Sequence, residues 1–141
     1  MPVERTRPRV KLSIARSPIS EWRGGKPLFL LQHLGGEPAH CVQVVPVRSL
    51  RRRSLQIDFP QVETLDAKES EVLLPAKLVS QAPDGVSGLW ESFFETDCQG
   101  AGCVSYPVRI RYQWETKQCE EQTNLIWDAK ERTLSVLAPL S

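Results

Sequence analysis

Two periodicities divide the chain. Val10, Leu12 and Ile14 alternate with Lys11, Ser13 and Ala15, and far downstream Val108, Ile110, Tyr112 and Trp114 alternate with Arg109, Arg111, Gln113 and Glu115. A period of two predicts strands with one face on a core and the other in water. Leu55, Ile57 and Phe59 repeat the pattern until Pro60, and shorter runs follow at Val72 to Leu74, around Asn124 to Trp127 and at Leu134 to Leu137. Only from Asp84 to Asp97 does the period change. There Leu89, Trp90, Phe93 and Phe94 recur at helical spacing behind Ser87, a residue suited to an N-cap. One short helix crossing an open end of the strand assembly is predicted.

Between Pro27 and Val47 the pattern is denser. Leu28 to Leu31 are apolar at both parities, and His40 to Val47 places Cys41, Val45 and Val47 on one face and Val42 and Val44 on the other. Gly35-Gly36 separates the two runs, so the stretch reads as a β-hairpin. Apolar residues on both faces predict that its arms are central strands covered on both sides. A charge at Leu30 or Val44 is then expected to abolish folding. Thr116 to Gln122 reads as a polar connection, and Arg16 to Gly25 as a loop in which Trp22 plugs the sheet edge. Counting gives about eight short strands and one helical insertion, an all-β immunoglobulin-like sandwich.

Composition narrows the class without naming a function. With 141 residues and 40% hydrophobic content, one core can bury roughly two-thirds of the unfolded chain's surface. Residues 1–8 are polar and read as a flexible leader, and 9–141 as a single domain. Eleven prolines argue against a helical fold. Eighteen basic and seventeen acidic residues leave a net charge of +1, which predicts no nucleic-acid partner through the overall field. No apolar run is long enough to span a bilayer, and no signal peptide is recognisable, so no direct membrane insertion by this segment is expected. The chain is either cytosolic or separated here from a leader or anchor.

The residues that carry chemistry are few. Cys98 and Cys103 bracket Gln99-Gly100-Ala101-Gly102, a loop flexible enough for a disulfide, which would contribute on the order of 2 kcal/mol through chain entropy. Cys41 and Cys119 are left as a second pair, as zinc ligands joined with the first two and His40, or, like the first two, as reduced thiols. His33 and His40 flank the turn without an Asp or an activated Ser to complete a nucleophilic site, and no glycine motif cradles a phosphate. Neither catalysis nor a cofactor is expected. Arg51, Arg52 and Arg53 read as a solvated connection, or alternatively as a patch for an acidic partner. With His33 and His40 they make up the possible interaction surface.

The run LFLLQHLGGEPAHCVQVVPV, continued by LQIDFPQVETLDAKESEVLLPAKL and YPVRIRYQWE, resembles the bacterial immunoglobulin-like or fibronectin-III-like accessory domains from about residue 9 onward. In that family a strand ends in Asn-x-Gly and a Pro-Ala pair opens the next; here His33 stands where the Asn is expected. The resemblance implies a non-catalytic interaction or structural module of a larger bacterial protein, on the outer face of a membrane, with an unidentified protein partner. The alternative is a carbohydrate- or small-ligand-binding sandwich that uses exposed tryptophans.

Overall fold

The alternating pattern is realised as eleven antiparallel strands and one helix in a computed structural model that describes residues 6–15, 27–52, 54–66, 71–80, 90–99 and 102–137. In chain order the strands are β1 (Arg9–Ala15), β2 (Leu28–Gly35), β3 (Ala39–Val44), β4 (Val47–Arg48), β5 (Leu55–Asp58), β6 (Val62–Leu65), β7 (Glu71–Leu74) and β8 (Lys77–Ser80). Helix α1 (Trp90–Cys98) is followed by β9 (Cys103–Trp114), β10 (Lys117–Asp128) and β11 (Thr133–Leu137). Among the described residues three sheets result. The first has the order β1-β2-β7, the second β11-β10-β9-β3-β6 and the third β4-β5-β8. Eleven strands replace the expected eight because β4, β6 and β8 are short and half-exposed, too brief to register as a period.

The expected hairpin does not form. β2 spends its two edges on β1 and β7, and β3 spends its own on β9 and β6, so the two arms belong to different sheets. The segment between them is an arch. Gly35 and Gly36 take φ values of 141° and 90°, a region that favours glycine, and a Cβ on Gly36 would lie 2.4 Å from the Arg7 carbonyl oxygen. Pro38 has no N–H with which to continue a ladder. Both arms are nonetheless interior strands of their sheets, but they are not covered on both sides as their apolar density predicts: Leu28 and Leu34 of β2 and His40 and Cys41 of β3 are exposed.

The long alternating strand is observed as β9, whose Val104, Tyr106, Val108, Ile110 and Tyr112 point inward. Its partner β10 begins at Lys117 after a two-residue turn in which Glu115 is left-handed at φ 57°. The expected polar connection is therefore strand. Glu121 and Thr123 occupy inward positions of β10, where apolar residues would have revealed the period. Inward residues of all three sheets join one buried cluster with Trp90, Phe93 and Phe94 of α1. Phe94 stacks on Trp127 at 5.4 Å between ring centroids and meets Tyr106 edge-on at 5.9 Å, fixing the helix against β9 and β10. Ser87, Leu89 and Trp22 lie outside the described residues.

Val44 is 1% exposed, whereas Leu30 points to the outer face of the first sheet and is half-buried. Val44→Asp is expected to lose cooperative thermal unfolding altogether, since an unpaired buried charge costs several kcal/mol, about the whole stability of a small domain. Leu30→Asp is expected to retain a cooperative transition. Circular dichroism melts of both variants check the distinction.

Candidate interaction surface

The feature with the densest polar geometry is built on Asp97, in the last turn of α1. A carboxylate there opposes the helix dipole, and no basic residue in that turn offsets it. Asp97 is only 5% exposed. Its place is set by four donors: Ser49 Oγ at 2.7 Å and Arg51 N at 3.0 Å on Oδ1, Leu50 N at 2.9 Å and Tyr106 Oη at 2.7 Å on Oδ2. Ser49 Oγ accepts in turn from Arg52 N at 3.0 Å, and Leu55 N donates to Arg52 O at 2.9 Å to close the turn into β5. Burial alone would raise the Asp97 carboxyl, but the bonds from Ser49, Tyr106 and the two amides outweigh it and hold the group below its usual 3.8. Burial and the neighbouring Asp97 push the Tyr106 phenol far above its ordinary range.

This clamp presents the arginine-rich turn. Arg48, Leu50 and Arg51 are exposed around it, Leu50 at 53%, while Arg52 is half-buried and Arg53 lies outside the described residues. Beside it runs an open groove of about 400 Å³, with Pro46 to Leu50 on one side and Tyr106 and Pro107 on the other. The amide donors of Leu50 and Arg51, which would otherwise cradle an incoming phosphate, are already taken by the internal carboxylate. The turn therefore offers guanidinium groups and an apolar side chain, not an amide nest.

The histidines do not join this surface. His33 is 5% exposed and lies in the arch, where its Nε2 donates to Glu37 O at 2.9 Å and its Nδ1 accepts from Gly35 N at 3.3 Å. His40 is exposed on β3, with Nδ1 3.3 Å from Thr64 Oγ1 on β6. A second polar cluster is likewise internal. Arg7 Nε donates to Tyr112 Oη at 3.1 Å, and that oxygen stands 3.0 Å from Pro8 O and 3.1 Å from Glu121 Oε1. Glu121 also accepts from Val10 N at 3.3 Å. Burial, reinforced by Glu121 and opposed by the bond from Arg7, pushes the Tyr112 phenol up to about 12. Arg7 and Pro8 are thereby tied to β9 and β10.

The cysteines correct the expected disulfide. None of the four is in a disulfide, and Cys98 and Cys103 are not at disulfide distance. Cys98 ends α1 facing the core, whereas Cys103 opens β9 facing outward, so the two side chains point into different environments. Cys41, read as part of a regular apolar strand, is instead exposed at a bulge with φ 51°. Among the described residues no group of three His, Cys, Asp or Glu side chains could hold a metal. Of the three tryptophans among the described residues, Trp90 and Trp127 are buried, and Trp114 is half-buried with Nε1 donating to Glu37 Oε2 at 2.8 Å, so none offers the exposed platform that a sugar-binding sandwich would use.

Sequence reasoning found the arginines and missed Asp97, although a signal was there: Asp97 stands seven residues after Trp90, on the same apolar helix stripe. No family model, curated protein or solved structure matches the chain.

Three outcomes are expected. Asp97→Ala leaves two hydroxyls and two amides without their acceptor and should cost about 3 kcal/mol in urea unfolding at neutral pH. Because the folded-state value of Asp97 is depressed, its contribution is complete above 3.8 and is lost as pH falls through the lower folded-state value. The acid limb of wild-type stability should accordingly be steeper than that of Asp97→Asn. Separately, mass spectrometry of the native protein after alkylation should find Cys41 and Cys103 modified quickly, Cys98 and Cys119 only on unfolding, and no change on prior reduction.

Proposed function

We propose that the chain is a non-catalytic interaction domain of the immunoglobulin-like kind, whose contact surface is the clamped turn from Ser49 to Arg52 with its adjoining groove. Strand order supports the fold reading: β1-β2-β7 and β10-β9-β3-β6 follow the A-B-E and G-F-C-C′ orders of such sandwiches, with β2 and β3 in the places of the B and C strands that change sheets. On this reading the domain is an accessory unit of a larger protein on the outer face of a bacterial membrane, as the sequence resemblance implies.

The observation that carries the functional reading is the use made of Asp97. Burying a carboxylate is costly, and here three of its four hydrogen bonds hold a solvent-facing turn around which Arg48, Leu50 and Arg51 face outward, the fourth coming from Tyr106 of β9. Holding that turn rigid removes the ordering cost of binding in advance. The fitting partner is a protein segment that alternates acidic and apolar residues, the acids meeting Arg48 and Arg51 and an apolar side chain meeting Leu50 and the groove. With a net charge of only +1, attraction is local to this turn.

Titration of isotopically labelled protein with a Glu-Leu alternating peptide, followed by NMR, tests this. Shifts are expected in residues 46–52 and at Tyr106 and Pro107's neighbours, and Arg48→Glu with Arg51→Glu should weaken binding by roughly tenfold or more. Shifts confined elsewhere, or undiminished binding by the double variant, would overturn the proposal.

A further inference from the structure

The outward face of the first sheet has its own pattern. Register places Ser13, Leu30 and Leu73 side by side in one row across β1, β2 and β7, and Lys11, Gln32 and Glu71 in the next outward row. Leu28 precedes Leu30 on the same face of β2. Leu28 is 41% and Leu73 54% exposed, and Leu30 is half-buried. Scattered exposed leucines are ordinary, but three that adjoin along and across strands make a contiguous apolar patch.

We propose that this face is a self-association surface, on which two copies of the chain pack with a two-fold axis running along β2. The charges argue for a second copy over any other partner. Lys11 and Glu71 stand at the same height on opposite sides of β2, each one strand spacing away, about 4.8 Å. No ion pair or side-chain hydrogen bond engages either of them among the described residues. Rotation about β2 exchanges the two flanks, so Lys11 of each copy comes opposite Glu71 of the other. A uniformly acidic or basic partner would satisfy one of these charges and oppose the other. Gln32 lies on the axis, and its amide, both donor and acceptor, can bond to its own counterpart. Leu30 also lies on the axis and meets its counterpart, with Leu28 and Leu73 around it. An axis along the strands gives nearly aligned sheets, the packing that twisted sheets favour, and the interface is isologous, as in most dimers.

Sedimentation of the whole chain across roughly 1–200 µM measures the association. A concentration-dependent dimer is expected. Leu73→Asp should raise its dissociation constant by roughly a hundredfold with an unchanged melting temperature, because the side chain is exposed in the single chain. Lys11→Glu and Glu71→Lys should each weaken the dimer about tenfold, and the two combined should restore it, since the reversal re-forms both pairs. That restoration does not depend on how Leu73→Asp behaves. A monomer throughout the range, a dimer indifferent to Leu73→Asp, or a double reversal no tighter than the singles would each overturn the proposal.

Discussion

The close passage of the arch beneath the N-terminal segment is the constraint on which the arrangement of sheets depends. Gly36 lies so near the Arg7 carbonyl that no side chain fits, and the next residue, Glu37, holds the crossing in place from three directions. Its N–H donates to Thr6 O at 3.0 Å, its carbonyl accepts from His33, and its carboxylate accepts from Trp114. One residue thus joins the segment before β1, the end of β2 and the far end of β9. Remove that tie and nothing local obliges β2 and β3 to diverge, since each alone is an apolar strand able to accept the other.

The two buried polar clusters work on the same principle at other seams. Asp97 ties the helix and β9 to the turn between β4 and β5, while Tyr112 and Glu121 tie the start of β1 to the β9–β10 pair. Each joins segments far apart in sequence that share no ladder of backbone bonds. Apolar contact supplies cohesion at these seams but little direction, whereas satisfied buried hydrogen bonds accept one geometry only. The antiparallel sheets are therefore held together by leucine, valine and aromatic packing, and their mutual placement is specified by a handful of carboxylates, hydroxyls and one imidazole.

That division explains what could be read from the chain. β1, β5, β9 and β11 announced themselves because every second residue is apolar, and α1 because Trp90, Phe93 and Phe94 keep the helical period. Edge strands such as β6, with Glu63 and Thr64 exposed, bury too little to leave a period. The start of β10 was hidden because its inward Glu121 and Thr123 serve hydrogen bonds instead of the core. The arch was hidden for a different reason: a Gly-Gly between apolar runs is equally suited to a hairpin, and the deciding contacts, from Thr6 and Trp114, come from remote parts of the chain. Of the surface, the arginines were legible as charge, whereas the carboxylate that orders them showed only as an acidic position on the apolar stripe of α1, because two of its four donors are backbone amides that carry no sequence signature.

The bulge at Cys41 has a bearing on how the chain is made. Since β3 pairs with β9 and not with β2, one of its edges must wait until α1 and β9 have left the ribosome, on the order of several seconds at ordinary rates of synthesis. A straight apolar edge kept open that long is a template for pairing with other chains. The left-handed backbone at Cys41 breaks the regular spacing of donors and acceptors between His40 and Gln43. A passing strand would find this edge hard to match, whereas β9, which accommodates the irregularity, arrives already carried by the same polypeptide.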